Sequence, residues 1–247
     1  LITCYIVPLL FFFIMGGIFT SVMPDAKYTL IQSMTVFGVT MGALIGLPPS
    51  LVEIYGGDIK KVYSANGVPM YLGLILTNLS AYIHLFIMSI ILYIVAPIVF
   101  DAVIPESPLL YFYSLAIFIA VSLSIASIIG LAVKDQAKTS MFSILIFLPS
   151  TMLSGIMFPS EFLPQAFITA GKLFPASWGY SLMCENSMRF ENLLPLFIIL
   201  ISAVGVCALL PCRSPRFSRR AGAISLRVVV VQRTINTVIC FVICAHL

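Results

Sequence analysis

Charge is scarce in this sequence. Lys, Arg, Asp and Glu make up 9% of its 247 residues, against 61% hydrophobic. Soluble domains are about 45–50% apolar and about 25% charged, so a soluble fold of this length is excluded. Strict alternation of apolar and polar residues is also missing, which excludes a transmembrane barrel. The long apolar runs read instead as helical spans.

Chemistry-bearing motifs are missing too. No G-x-x-x-x-G-K-[ST] occurs; Gly171-Lys172-Leu173 lacks both the upstream glycine and the hydroxyl residue, so the chain has no usual cradle for a nucleoside triphosphate. There is no H-E-x-x-H, and His84 and His246 are the only histidines. The six cysteines (Cys4, Cys184, Cys207, Cys212, Cys240 and Cys244) form no C-x-x-C pair and read as small apolar residues in or near spans. No catalytic set and no metal site is expected. Asn78-Leu79-Ser80 matches a glycosylation sequon but lies inside a span. No span carries a mid-depth acid or base apart from His84, which disfavours a proton-driven antiporter. No internal repeat is legible, which weakens an inverted-repeat secondary transporter. No charged segment precedes Leu1, so the start reads as a fragment cut just before or inside a first span.

What is present is a set of six apolar segments, at about 1–22, 28–47, 68–99, 109–133, 139–158 and 193–210. All but the third are near the ~20 residues that a helix needs to cross the hydrocarbon. Pro8 and Pro149 lie within two of them, and Pro48-Pro49 reads as a stop for the second. The third is longer than a bilayer requires and must tilt, kink or project. Gly38, Gly42 and Gly46 give the second span two overlapping GxxxG steps, a spacing that lets helices approach closely in lipid. Asn78 and His84 are polar within the third span. Interhelical hydrogen bonding is the plainer reading for both, and contact with a transported molecule is the other.

The net charge of +4 hides an asymmetry. Up to Leu210 there are seven Lys or Arg and all nine acids, about −2, while the rest carries six Arg and no acid. A basic tail beside a membrane suits anionic headgroups, and nothing points to nucleic acid. Lys60, Lys61, Lys134, Lys138 and the tail arginines Arg213, Arg216, Arg219 and Arg220 fall on one side of the six spans, and Lys27, Lys172 and Arg189 on the other. The richer side is cytoplasmic by the positive-inside rule, which puts both termini inside. In the tail, 211–247, residues 228–231 read as a strand and 237–247 are too short to span. The final Cys244-Ala245-His246-Leu247 is only a poor prenylation box. The tail reads either as a membrane-surface segment or as a non-native end, and carries no assigned function.

Two polar regions interrupt the spans. Residues 153–180 are apolar enough for membrane depth but are broken by Pro159, Pro164 and Pro175 and charged by Glu161 and Lys172. Phe162, Leu163, Ala166, Phe167, Ala170, Leu173 and Phe174 keep helical spacing, with Pro164 suited to a first turn. Two readings fit: a short hairpin that dips into the outer face and returns, packed on protein or lining a cavity, or an ordinary interfacial loop. Residues 50–67 are the other region. Ile54, Tyr55, Ile59 and Val62 share one face of a short helix, with Asp58, Lys60 and Lys61 elsewhere and Gly56-Gly57 loosening it. Such a helix at a cytoplasmic loop tip lies on the membrane or fits a partner's groove; a solvated loop whose lysines merely orient the chain is the alternative.

The first region resembles the last extracellular loop of type-2 ABC exporter permeases: Ser154, Gly155, Phe158 and Pro159, then Leu163 and Pro164, then Phe174 and Pro175. The second is similar to that family's loop between spans two and three, through Glu53, Gly57, Lys60-Lys61 and Val68-Pro69. The resemblance covers roughly residues 1–210 and lacks the interfacial helix that opens the family. It implies an all-α integral membrane protein with six transmembrane helices and a re-entrant extracellular hairpin between spans five and six. It implies a permease in the cell membrane, paired with itself or a relative, with the hairpin as an outward gate. Glu53, Ile54, Tyr55, Gly57, Asp58, Lys60 and Lys61 would be the coupling loop to a separate cytoplasmic ATPase subunit. ATP would be used by that partner, and this chain would bind no cofactor. Two other classes stay open from the residues alone, a secondary transporter and an integral membrane enzyme or scaffold. For the latter the best polar cluster, 185–191, offers Asn186, Arg189 and Glu191 but no nucleophile–base set.

Overall fold

The computed structural model describes residues 2–56, 65, 70–133, 135–157, 164–184 and 190–212. All regular structure among these residues is helical. Helix α1 is Ile2–Val22, followed by a 3-10 turn, Pro24–Tyr28. Helix α2 is Leu30–Met41, joined by a π turn, Gly42–Gly46, to α3, Leu47–Gly56. Then come α4 (Met70–Phe100), α5 (Pro108–Ala132), α6 (Gln136–Met152), α7 (Gln165–Gly171), α8 (Pro175–Cys184) and α9 (Phe190–Cys212).

Among the described residues, four stretches are long and apolar enough to cross a membrane: Tyr5–Val22, Leu30–Tyr55, Tyr71–Phe100 and Pro108–Ala132. Helix α6 has 17 residues, and the apolar part of α9, Leu193–Cys207, is also shorter. Large apolar side chains face outward along α1, α4, α6 and α9, with Ile14, Ile98, Met141 and Ile201 among them. Such a surface suits lipid and not water. The chain is a helical membrane protein.

One expectation is corrected. Pro48-Pro49 does not stop the second span, because the helix runs on to Gly56. Proline breaks a helix by lacking an N–H and by crowding the preceding turn. Here the π turn resets the register just ahead of it, with the Leu47 N–H bonded to the Ala43 carbonyl. The two prolines then occupy the first turn of α3, where a missing N–H costs nothing. Ile54 and Tyr55 therefore belong to the last turn of a buried span and not to a separate loop helix.

Helix α2 is the centre of the bundle. Every residue from Leu30 to Thr40 is buried, and α1, α4, α5, α6 and α8 pack around it. Phe37 stacks on Phe11 at 3.7 Å between ring centroids and meets Phe147 edge-on at 5.5 Å, tying α1 and α6 to it. Helix α5 is the second hub and carries α3, α4, α8 and α9.

The fold has two recognisable ends. At one, Lys27 and Asp101 approach to 4.0 Å and the Val103 N–H donates to the Lys27 carbonyl at 3.0 Å, so the α1–α2 turn meets the α4–α5 loop. The ion pair is exposed and contributes little. At the other end α3 lies along the C-terminal part of α5, and Asp135 caps α6 by accepting from the Lys138 backbone N–H at 3.1 Å.

Candidate functional site

The first end holds a cavity of about 660 Å³ between the start of α2 and the stretch that joins α6 to α8. The sequence explains its shape. Helix α6 ends at Met152, and Gly155 then takes a left-handed turn with φ 78°, a conformation that glycine adopts without strain. Ser154 is buried beside it, its hydroxyl donating to the Thr151 carbonyl at 3.0 Å. Both residues line the cavity.

The far wall is built from two short helices. Pro164 stands one position ahead of α7 as its N-cap, not inside its first turn as expected. Phe167 of α7 and Leu173 just beyond it are 51% and 80% exposed, so these apolar side chains are not spent on the core, while Ile168 and Lys172 line the cavity. Phe174 and Pro175 form the corner: the Phe174 N–H donates to the Gly171 carbonyl at 2.9 Å, and Pro175 begins α8. The Ser177 hydroxyl also donates to the Gly171 carbonyl, at 2.7 Å, and the Trp178 indole N–H to the Lys172 carbonyl at 2.7 Å. Gly171 is buried against the Leu153 carbonyl, where a side chain could not fit. The start of the broken stretch and its middle thus lie backbone against backbone.

Sequence reasoning did not find the near wall. Asp25, Thr29 and Ser33 all line the cavity, and the Tyr180 hydroxyl hydrogen-bonds with the side chains of Ser33 and Thr29. The signal was a polar residue at every fourth position, which marks one face of a helix start. It was lost among the short turn residues.

Other singled-out residues lie elsewhere. Gly38 and Gly42 face α4: a Cβ on Gly38 would stand 2.8 Å from the Met88 methyl and 3.5 Å from the Pro8 Cβ, and one on Gly42 would strike Leu85. Their close neighbours are in the same chain. Gly46 is half-buried at the end of the π turn. His84 Nδ1 meets the Tyr5 hydroxyl at 2.8 Å, joining α1 and α4. The Asn78 carboxamide donates to the Leu74 carbonyl at 2.9 Å and accepts from the Ser127 hydroxyl at 2.9 Å, joining α4 and α5. Asn78 also borders a second, largely apolar cavity of about 430 Å³ between α4, α5 and α9.

At the opposite end Glu53 is exposed in the last turn of α3, Ile54 is fully buried and Tyr55 packs on the core. Gly57, Asp58, Ile59, Lys60, Lys61, Val62 and Val68-Pro69 lie outside the described residues, as do Lys134, Phe158, Pro159, Glu161, Phe162, Leu163, the 185–189 connector with Arg189, and the tail beyond Cys212.

A family model described as ABC-2 type transporter matches residues 2–188, from α1 through α8. No curated protein gives a significant match.

Proposed function

The chain belongs to the ABC-2 type transporter family, and we propose that it is the permease subunit of an ATP-driven exporter in the cell membrane. The match over residues 2–188 carries this reading. Six spans would cross the bilayer, with α6 and α9 as the fifth and sixth, both termini cytoplasmic, and the α7–α8 hairpin re-entrant on the outer face. Two copies, or this chain and a relative, would form the pathway between them. The chain performs no bond chemistry; ATP is bound and hydrolysed by a separate cytoplasmic subunit.

Coupling would run through α3. Glu53 in the last turn of α3, with Gly57, Asp58, Lys60 and Lys61 after it, would seat in a groove of the ATPase. A push there reaches a rigid piece, because α3 is wedged against α5 at Gly130. The π turn above it is the natural place for the movement to be absorbed, since such turns are strained and recur at functional sites. At the other end Ser154, Gly155, Phe158, Pro159, Leu163, Pro164, Phe174 and Pro175 would form the gate. Asn78 and His84 serve helix packing, given their interhelical partners.

The test is purification of the tagged full-length protein from its own membranes in mild detergent, with partners identified by mass spectrometry. A stoichiometric soluble protein with a Walker A loop is expected. Recovery of the chain alone, where known membrane complexes survive, would return the reading to an ion-driven transporter.

A further inference from the structure

Two exposed side chains of opposite charge line the outer cavity without pairing. Asp25 lines it from the 3-10 turn and Lys172 from the end of α7. Among the described residues neither side chain makes an ion pair or hydrogen bond. Hydroxyls of Thr29, Ser33, Ser177 and Tyr180 lie along the same lining, and Phe19, Leu153 and Ile156 give it apolar surface. At about 660 Å³ the cavity falls within the roughly 300–1,000 Å³ of small-molecule sites.

An occupant that matches this lining needs three parts. An ammonium group answers Asp25. A phosphate or carboxylate answers Lys172, where a charge-assisted hydrogen bond outweighs a neutral one. An apolar portion lies on Phe19, Leu153 and Ile156. A purely anionic ligand leaves Asp25 opposed by like charge, and a purely cationic one does the same at Lys172. We propose that this cavity is a binding site for zwitterionic amphiphiles. A phosphoethanolamine lipid headgroup and a soluble apolar peptide share that chemistry.

The chain provides its own reporter. Trp178 is its single tryptophan, and its indole N–H is bonded to the Lys172 carbonyl at 2.7 Å. Its emission reads changes at the Lys172 backbone, next to the side chain that the ligand would engage. The full-length protein in uncharged maltoside micelles is titrated with dioctanoyl-phosphatidylethanolamine, with dioctanoyl-phosphatidylglycerol as the anion-only probe, and with the dipeptide Leu-Leu. Saturable change with the first probe is expected, at least tenfold tighter than with the second. Asp25→Asn and Lys172→Gln should each weaken it at least tenfold, while Asp25→Glu and Lys172→Arg retain it. Saturation by Leu-Leu at similar strength assigns the site to soluble zwitterions as well; response to the lipid alone assigns it to headgroups. Equal affinities for wild type and both neutral variants, or for the zwitterionic and anion-only lipids, overturn the proposal. Should a neutral variant aggregate, the wild-type contrast between the two lipids decides. Binding is measured without any ATPase partner, so it fails or stands separately from the exporter reading.

Discussion

Gly130 of α5 lies against Leu51 of α3 with no room for a side chain. A Cβ at position 130 would stand 2.8 Å from the Leu51 Cβ and 3.1 Å from the Pro48 Cα. These are backbone-proximal atoms that cannot swing aside, so Gly130→Ala forces the two helices apart. Overpacking of this kind costs about 1–3 kcal/mol. The melting temperature of the detergent-solubilised protein should fall by several degrees. Gly205 of α9 is the control, since nothing lies within 4 Å of its would-be Cβ. Gly205→Ala should be neutral or slightly stabilising, because alanine favours helix. Equal melting curves for the two variants would show that α3 is not wedged on α5.

Tyr111 and Thr35 form a buried side-chain pair at the heart of the bundle. The Tyr111 hydroxyl donates to Thr35 Oγ1 at 2.8 Å, and the two residues are 2% and 0% exposed. Tyr111→Phe leaves the Thr35 hydroxyl without that donor and should cost about 1–2 kcal/mol. Thr35→Val in the same background removes the stranded hydroxyl and should recover part of the loss. Chemical denaturation in detergent of the two single variants and the double variant measures the coupling. Strict additivity would mean that the hydrogen bond contributes nothing.

Helices α1, α4 and α5 follow directly from their apolar runs, because a span needs only length and hydrophobicity to be legible. The expected 68–99 and 109–133 differ from Met70–Phe100 and Pro108–Ala132 by one or two residues at each end. The run through Pro48-Pro49 was not legible, since whether a proline stops a helix depends on the register before it, and the π turn supplies that register. Helix α8 was hidden for a related reason: Phe174-Pro175 reads as one more break, yet Pro175 is the first residue of a new helix. The partners of Asn78 and His84 were out of reach. Polarity in a span is visible in the sequence, but Ser127 lies 49 positions from Asn78, and Tyr5 lies 79 from His84.

The coupling proposal predicts that Lys60 and Lys61, in the segment that follows α3 in sequence, act through their charge. Lys60→Glu combined with Lys61→Glu should reduce co-purification of the ATPase, or invert local topology by removing positive charge from the inner side. Cysteine-accessibility mapping separates the two effects. Wild-type ATPase recovery together with wild-type topology would remove both residues from the coupling role.

Gly171 offers the sharpest test of the hairpin. Its position against the Leu153 carbonyl joins the start of the broken stretch to its middle. The Ser177 hydroxyl sits 3.3 Å from a would-be Cβ while bonding the Gly171 carbonyl at 2.7 Å. In Gly171→Ala the new methyl meets a backbone carbonyl, and either α7 shifts away from α6 or the Leu153 turn opens. Both outcomes loosen the wall that carries Lys172 and its bond to Trp178. The indole emission should therefore shift towards that of a wetter environment, and protease cleavage within 153–184 should accelerate several-fold. Ser177→Ala removes one hydrogen bond without adding bulk and should produce the same changes more weakly. If the hairpin is the outward gate, Gly171→Ala should also uncouple ATP hydrolysis from substrate movement in reconstituted vesicles, because a wall that no longer closes cannot hold the pathway shut against backflow. Unchanged emission and cleavage would show that the Leu153–Gly171 contact does not hold the hairpin. Altered emission with full coupling would leave the hairpin as a structural cover and remove it as a gate.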